Sequence, residues 1–317
     1  MLTNGLLQVL SPSQLTAAAV FFAFVITAVL LNAKFSFLPH DQGREFAVNG
    51  ALSRGKIRGV GLINSICYLI AALLFVPVNV ESIILCVLLL AVTLSGYLDD
   101  ASSVPWSDYK KGLIDFIISV ICVVAFIHYN STEIYIFNTS ITLPPVLYAI
   151  LAIILIWVSI NATNCSDGVD GLCASLSVIT VLSFAFIFSS ELAEYQDYSF
   201  ILVGTMLAYL WFNTSPSSML MGDAGSRALG FFIAILAMKS GHPLSYLLLS
   251  LVMIIDGCLG LAKIFLLRFL KIHILKTIRT PIHDEMRKNR GWSDTQVVFR
   301  FVIIQVLASL LFLMLKA

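Results

Sequence analysis

Apolar runs of helical length recur along the whole chain, separated by short polar loops. They fall at about 13–33, 60–78, 81–98, 112–128, 143–160, 171–189, 198–211, 227–238, 243–266 and 297–315. A helix needs about 20 apolar residues to cross the hydrocarbon core of a bilayer. The runs are continuous and do not alternate in ten-residue blocks, which predicts helices and argues against a barrel. The pattern predicts an all-α polytopic membrane protein of about ten transmembrane helices. The eighth is short if it begins at Arg227. No internal repeat stands out, so residues 1–317 read as a single integral-membrane domain.

Composition agrees with this reading. The chain is 59% hydrophobic and only 12% charged, where soluble domains carry about 25% charged residues. Mean hydropathy is +0.95. Cys67, Cys86, Cys122, Cys165, Cys173 and Cys258 lie in or near apolar runs without a C-x-x-C pair, and read as small buried hydrophobes. The first run follows no basic segment and no A-x-A-like site, so it reads as a retained helix.

Charge gives the helices a direction. The first loop holds Lys34, Arg44, Arg54, Lys56 and Arg58, and the third holds Lys110 and Lys111. The seventh ends at Arg227, and the ninth holds Arg268, Lys271, Lys276, Arg279, Arg287, Lys288 and Arg290. The even-numbered loops hold only Lys239. Cytoplasmic loops collect Lys and Arg. The odd loops are therefore expected in the cytoplasm and both termini outside. A miscount by one span would have scattered the basic residues over both faces.

The acidic motifs fall on the same predicted face. In "YLDDASSVPWSDYKKGL", Asp99 and Asp100 are adjacent carboxylates at a helix end. Such a pair resists joint ionisation unless Mg²⁺ or a basic residue neutralises it, or one pKa rises. In "MGDAGSRALGF", Asp223 sits between Gly222 and Gly225 ahead of a helix, which suits a hard cation and phosphate oxygens. Asn161, Asn164, Asp167 and Asp170 follow one another at intervals of three, with Gly168 and Gly171 between them. On a helix end they would share a face. Amides and carboxylates so placed suit a nucleobase, a ribose or a sugar. Asn130, Asn138, Asn161, Asn164 and Asn213 also match N-x-S/T sequons, a reading that fails on cytoplasmic loops. His283, in "TPIHDEMRKNRGW", suits contact with a phosphate or proton transfer. Each motif alone also fits an ordinary polar turn. Together they supply what Mg²⁺-dependent phosphoryl transfer at a membrane requires: hard oxygen ligands, cations for phosphates and a proton-handling group. Asp256, inside the ninth run, is either functional or a structural carboxylate bonded within the bundle.

The ordered set DD, N-x-x-N-x-x-D-G-x-D-G-L, F-N-x-x-P…M-G-D-x-G-S and P-I-H…G-W resembles the polyprenyl-phosphate N-acetylhexosamine-1-phosphate transferases. The tail most resembles the bacterial phospho-N-acetylmuramoyl-pentapeptide transferase branch. The resemblance runs from about Arg44 to Phe301. It implies ten transmembrane helices with both ends outside a bacterial plasma membrane and an active site at the cytoplasmic face. It implies transfer of a phospho-sugar from UDP-N-acetylmuramoyl-pentapeptide to undecaprenyl phosphate in the lipid bilayer, giving UMP and lipid I for peptidoglycan. A homodimer is compatible with it, and no nucleic-acid partner is implied. Carried over residue by residue, Asp223 would be the Mg²⁺ ligand, with Asp99 and Asp100 beside it. Asp99 would deprotonate or orient the lipid phosphate. Asn164, Asp167, Asp170 and Asn213 would line the nucleotide-sugar site, supported by Asn161 and Lys111. Lys56 would meet the phosphates, and His283 the phosphates or sugar.

The chain also departs from that pattern. Where the branch usually has three consecutive histidines it has His283, Asp284 and Glu285. Leu220 stands where an aromatic often stacks on uracil, and Ser103 where a lysine often follows the DD pair. The stretch "SRGKIRGVG" keeps glycines and basic character but has no threonine. Two other readings compete: a UDP-N-acetylglucosamine transferase to the same kind of lipid, and a secondary transporter. The ninth-loop pattern disfavours the first, and the gathering of charge at one face disfavours the second. Direct attack of the lipid phosphate and a two-step route through an aspartyl intermediate both remain open.

Overall fold

A computed structural model describes residues 10–43, 53–136 and 139–316. Arg44 and the Asn138 sequon lie outside them. A helix occupies each of the ten predicted windows. In chain order these are α1 (Pro12–Asn32), α2 (Gly61–Phe75), α3 (Val80–Asp100), α4 (Asp108–Tyr129), α5 (Pro145–Cys165), α6 (Leu172–Ile187), α7 (Gln196–Asn213) and α8 (Gly222–Lys239). The ninth window holds two pieces, α9 (Pro243–Leu249) and α10 (Leu251–Leu270), bent by 75°. The short α11 (Ile282–Lys288) and the apolar α12 (Asp294–Lys316) follow. Among the described residues, five helices are long and apolar enough to cross a membrane, or six with the bent pair as one span. Helices α2 and α6 are apolar but shorter. Large apolar side chains cover the outside, with Trp211 76% and Met314 75% exposed. A water-soluble protein rarely shows so much apolar surface, whereas a lipid-facing one does.

Start signals in the sequence set several of these helices. Ser11 and Gln14 form a capping box at α1, with Pro12 in the first turn. Asn79 and Ser82 do the same at α3. The Ser107 hydroxyl accepts from Lys110 N–H and opens α4, which puts Lys111 in the first turn.

The structure departs from the sequence reading at helix α8 and in the segment before α5. Helix α8 begins at Gly222, not at Arg227, so Asp223 lies inside its first turn. Arg227 is therefore no loop residue. It is 2% exposed and ion-paired with the buried Asp115 of α4. Apolarity alone could not reveal this, because the charge of one helix is answered by a charge on another. The polar segment before α5 also holds a two-stranded antiparallel hairpin, β1 (Glu133–Ile136) with β2 (Thr139–Thr142).

Helix α8 is the axis of the bundle. Every residue from Gly222 to Met238 is buried, and α2, α3, α5 and α6 pack around it. At its far end Lys239 binds Glu81 at 2.6 Å and Asn130 at 2.8 Å. Its near end starts at Gly222 and Asp223, so Asp223 stands at the centre of the bundle's cross-section. Cys67, Cys122 and Cys173 are buried, and Cys86, Cys165 and Cys258 partly so.

Candidate active site

Several helix ends and loops meet at the Asp223 end. Helix α3 ends there with Asp99 and Asp100, and α4 begins with Lys111. Gly222 allows the approach: its φ of +68° is left-handed, and a Cβ there would lie 2.2 Å from Asp100 Oδ2. With glycine, Asp100 Oδ2 accepts the Ala224 N–H at 3.2 Å, while Asp99 Oδ1 accepts the Trp106 N–H at 2.8 Å. Lys111 Nζ reaches Asp99 and, at 3.2 Å, Asp223 Oδ2. The adjacent carboxylates are thus neutralised by basic side chains, one of the resolutions open from sequence.

The second basic partner comes from the loop before α2. Ile57 bridges His40 on one side and Met219 on the other. Asp41 N–H donates to Lys56 O, Arg58 N–H to Pro39 O, and Leu220 N–H to Ile57 O, each at 2.8 Å. This pins residues 56–58 as an extended strip, in which side chains two apart face the same way. Lys56 and Arg58 both turn to the site. Arg58 places Nε 2.7 Å from Asp100 Oδ1, one terminal nitrogen 2.9 Å from Asp41 Oδ1 and the other 3.2 Å from Asp223 Oδ1. Lys56 Nζ lies 2.8 Å from Ser217 Oγ and 3.4 Å from Asp170 Oδ2. Burial alone would lower the Arg58 pKa, but Asp100 and Asp223 outweigh it and raise it. Burial works to raise the Asp41 carboxyl, yet the hydrogen bonds from Ser53 and Arg58 leave it lowered.

The D-G-x-D-G loop flanks this cluster. Asp170 Oδ2 also accepts the Ser217 N–H at 2.9 Å. Asn213, 3% exposed, is a clasp: its Oδ1 accepts Gly171 N–H and its Nδ2 donates to Met219 O, both at 2.8 Å. Asn164, in the last turn of α5, donates to Ser226 Oγ at 2.9 Å. Asp167 lies in the loop just past α5, partly buried. Asn161 bonds instead to Trp157 O on its own helix, at 2.8 Å. The interval of three therefore does not bring all four side chains into one set of contacts: Asn161 is tied to its own helix, and α5 ends at Cys165, before Asp167 and Asp170.

His283 completes the wall. Asp256 Oδ1 accepts the His283 backbone N–H at 2.7 Å, and its Oδ2 lies 2.8 Å from the ring Nδ1. Asp256 is 1% exposed and sits on a widened turn, Ile254–Cys258, a distortion frequent at functional sites. With a carboxylate as partner, Nδ1 carries the hydrogen and Nε2 points toward Gly168, where a Cβ would lie 2.2 Å from it. Burial would lower the His283 pKa, but Asp256 outweighs it and raises it. The two acidic residues after His283 have local work. Glu285 accepts from Arg279 N–H at 2.8 Å and Asn289 Nδ2 at 2.7 Å, and Asp284 lies 3.7 Å from both Arg279 and Arg287.

The structure thus gathers Asp99, Asp100, Asp223 and Lys111 into one cluster, with Lys56, Asp170, Asn164, Asn213 and His283 around it. It adds Arg58, Asp41, Ser217 and Asp256. In the sequence Arg58 was marked as one basic residue of the first loop, two positions after Lys56.

Residues 82–241 match the model of glycosyl transferase family 4. A phospho-N-acetylmuramoyl-pentapeptide-transferase of Treponema pallidum (strain Nichols) is 39% identical, covering 93% of this chain and 88% of that protein. Proteins of the same name from Dictyoglomus thermophilum (28% identical; 90% and 94% covered) and Lactobacillus helveticus (27%; 96% and 99%) also match. By its motifs, its site and these relatives, the chain belongs to glycosyl transferase family 4, as a phosphosugar transferase of the phospho-N-acetylmuramoyl-pentapeptide-transferase group.

Proposed function

We propose that this enzyme transfers phospho-N-acetylmuramoyl-pentapeptide from its UDP-linked donor to undecaprenyl phosphate, releasing UMP and forming lipid I. The setting is the bacterial plasma membrane, crossed ten times, with both termini outside and the site on the cytoplasmic face. The observation that carries the reading is the convergence of Asp99, Asp100, Asp223, Lys111 and Arg58 on one point, with the Lys56–Asp170 pair and His283 around it.

The donor set suits Mg²⁺. Among the described residues no three acidic, His or Cys side chains form a cage, but Mg²⁺ commonly takes one or two carboxylates and completes its shell with water and phosphate oxygens. Asp100 and Asp223 present such oxygens side by side, both reaching one guanidinium. Asp223 would hold the ion with Asp100 beside it. When bound, it supplies charge stabilisation to the phosphates.

The remaining roles fall to the chain's own residues. A lipid-phosphate oxygen attacks the sugar-proximal phosphorus of the donor. A new P–O bond forms as the bond to UMP breaks, and the electron pair leaves with UMP. Asp99, held by Lys111 and the Trp106 N–H, orients the attacking phosphate or takes its remaining proton. Lys111 and Lys56 stabilise charge spreading over the equatorial oxygens, where fixed cations act most strongly. Asp167, Asp170 and Asn164 hold the nucleotide-sugar. Asn213 keeps the D-G-x-D-G loop in place. His283 presents Nε2 to a phosphate or sugar hydroxyl, oriented by Asp256.

The test is UMP release from UDP-N-acetylmuramoyl-pentapeptide with added polyprenyl phosphate, with and without Mg²⁺, and with UDP-N-acetylglucosamine as competing donor. Turnover is expected only with Mg²⁺ and to vanish in Asp223→Ala. Near-normal turnover in that variant overturns the metal assignment.

A further inference from the structure

The Arg58 guanidinium meets three carboxylates at once. It contacts Asp100 through Nε, and Asp41 and Asp223 through its two terminal nitrogens. Its backbone is locked into the 56–58 strip on both sides. Only the side chain is left to move. Asp100 Oδ2 is engaged by Ala224 N–H and Asp223 Oδ2 by Lys111. The oxygens that Arg58 covers are Oδ1 of Asp100 and Oδ1 of Asp223, which are also the hard donors a divalent cation would use. A guanidinium and a divalent cation cannot share those oxygens at bonding distance without strong mutual repulsion.

We propose that Arg58 is this chain's resident counter-ion: it neutralises Asp100 and Asp223, competes with a divalent cation for them, and on yielding them turns to the substrate phosphates. The second half rests on the transferase reading above; the first does not. Three features support the exchange. Asp41 holds one terminal nitrogen by itself, and Ser53 Oγ at 2.6 Å and Gly43 N–H at 3.1 Å hold Asp41. The guanidinium therefore keeps an anchor while its other two contacts are released. Lys56, on the same face of the strip, already points to the opposite side of the site at Asp170 and Ser217. A diphosphate lying between the DD pair and the D-G-x-D-G loop would thus meet Lys56 and Arg58 together. Finally, the planar fork that binds carboxylates two at a time binds phosphates equally well, so the released group has a matching acceptor.

The experiment is Mn²⁺ binding to the full chain in detergent, without substrate, read by the electron paramagnetic resonance signal of free Mn²⁺. Arg58→Gln and the equally neutral Arg58→Met remove the competitor. Each is expected to bind Mn²⁺ on the order of tenfold more tightly than wild type. Arg58→Lys keeps the charge and is expected to stay near wild type. Addition of the UDP-linked donor is expected to tighten Mn²⁺ binding more in wild type than in Arg58→Gln, because coupling between two ligands is reciprocal and passes here through Arg58. Either neutral variant that gives a monodisperse protein decides the matter, so loss of one to misfolding leaves the other. Unchanged or weaker Mn²⁺ affinity in a folded neutral variant overturns the proposal. The metal arm contains no donor. Tighter Mn²⁺ binding in the neutral variants, with no UMP release by the wild-type protein, would therefore sink the transferase reading and keep the counter-ion. Normal UMP release with unchanged Mn²⁺ affinity would do the reverse.

Discussion

Replacing Asp256 by Asn tests whether a buried carboxylate sets the state of His283. The side chains are nearly isosteric, so packing changes little. In wild type, both oxygens of Asp256 accept from His283, at 2.7 Å from its backbone N–H and 2.8 Å from ring Nδ1. Asn keeps one acceptor oxygen. That oxygen goes to the backbone N–H, which is fixed, and the amide NH₂ then faces Nδ1. Nδ1 must become an acceptor, so the ring hydrogen moves to Nε2 and the face toward Gly168 changes from acceptor to donor. The same tautomer logic governs an aspartate behind a catalytic histidine elsewhere. One hydrogen bond to a charged group is lost, worth about 1.5–3 kcal/mol. If His283 uses Nε2 as an acceptor in the transition state, kcat/KM falls roughly tenfold to a hundredfold. The pH profile supplies a second readout. His283 has a folded pKa raised above its ordinary 6.5, with Asp256 as the cause that raises it. Its pairing with Asp256 therefore stabilises the fold fully below pH 6.5, and this is lost as pH rises through the raised value. In Asp256→Asn the His283 inflection moves to lower pH, and the stability lost above pH 6.5 in wild type becomes smaller. The assay is UMP release from pH 5.5 to 9 alongside thermal unfolding in detergent. A kcat/KM within twofold of wild type, with an unmoved inflection, refutes the reasoning.

Other perturbations follow from the same geometry. Gly168→Ala places a Cβ 2.2 Å from His283 Nε2, and because Asp256 holds the ring, steady-state kinetics should show a large loss of activity in a chain that still folds. Arg227→Met leaves Asp115 buried without its cation and is expected to cost roughly 3–5 kcal/mol in unfolding experiments. The double variant Arg227→Met, Asp115→Leu should recover most of that cost, since an apolar pair of similar volume replaces the ion pair; equal loss in both proteins would argue against it.

Much of this protein was legible in the sequence. Apolar runs are set by a solvent that penalises any unsatisfied polar group, so all ten windows turned out to hold helices, with ends displaced by a few residues. The motifs were legible for a related reason. A carboxylate or an amide next to a greasy helix is costly enough to mark a position, as Asp99, Asp100, Asp223, Asp170 and Asn164 did. Pairing was not legible. Arg227 read as a loop cation, yet it lies inside the bundle because Asp115, over a hundred residues away in sequence, meets it there. Arg58 read as one of several basic loop residues, yet the bridges of Ile57 to His40 and Met219 turn it onto the three carboxylates. Asp256 stayed ambiguous until the turn of α10 brought it to His283, and Asn213 proved to hold a loop by its backbone. Local sequence fixes which segments are helical and which residues are expensive to bury. Only the packing of distant segments decides which charge answers which, because a Coulombic partner is chosen by distance in space and carries no signature in spacing along the chain.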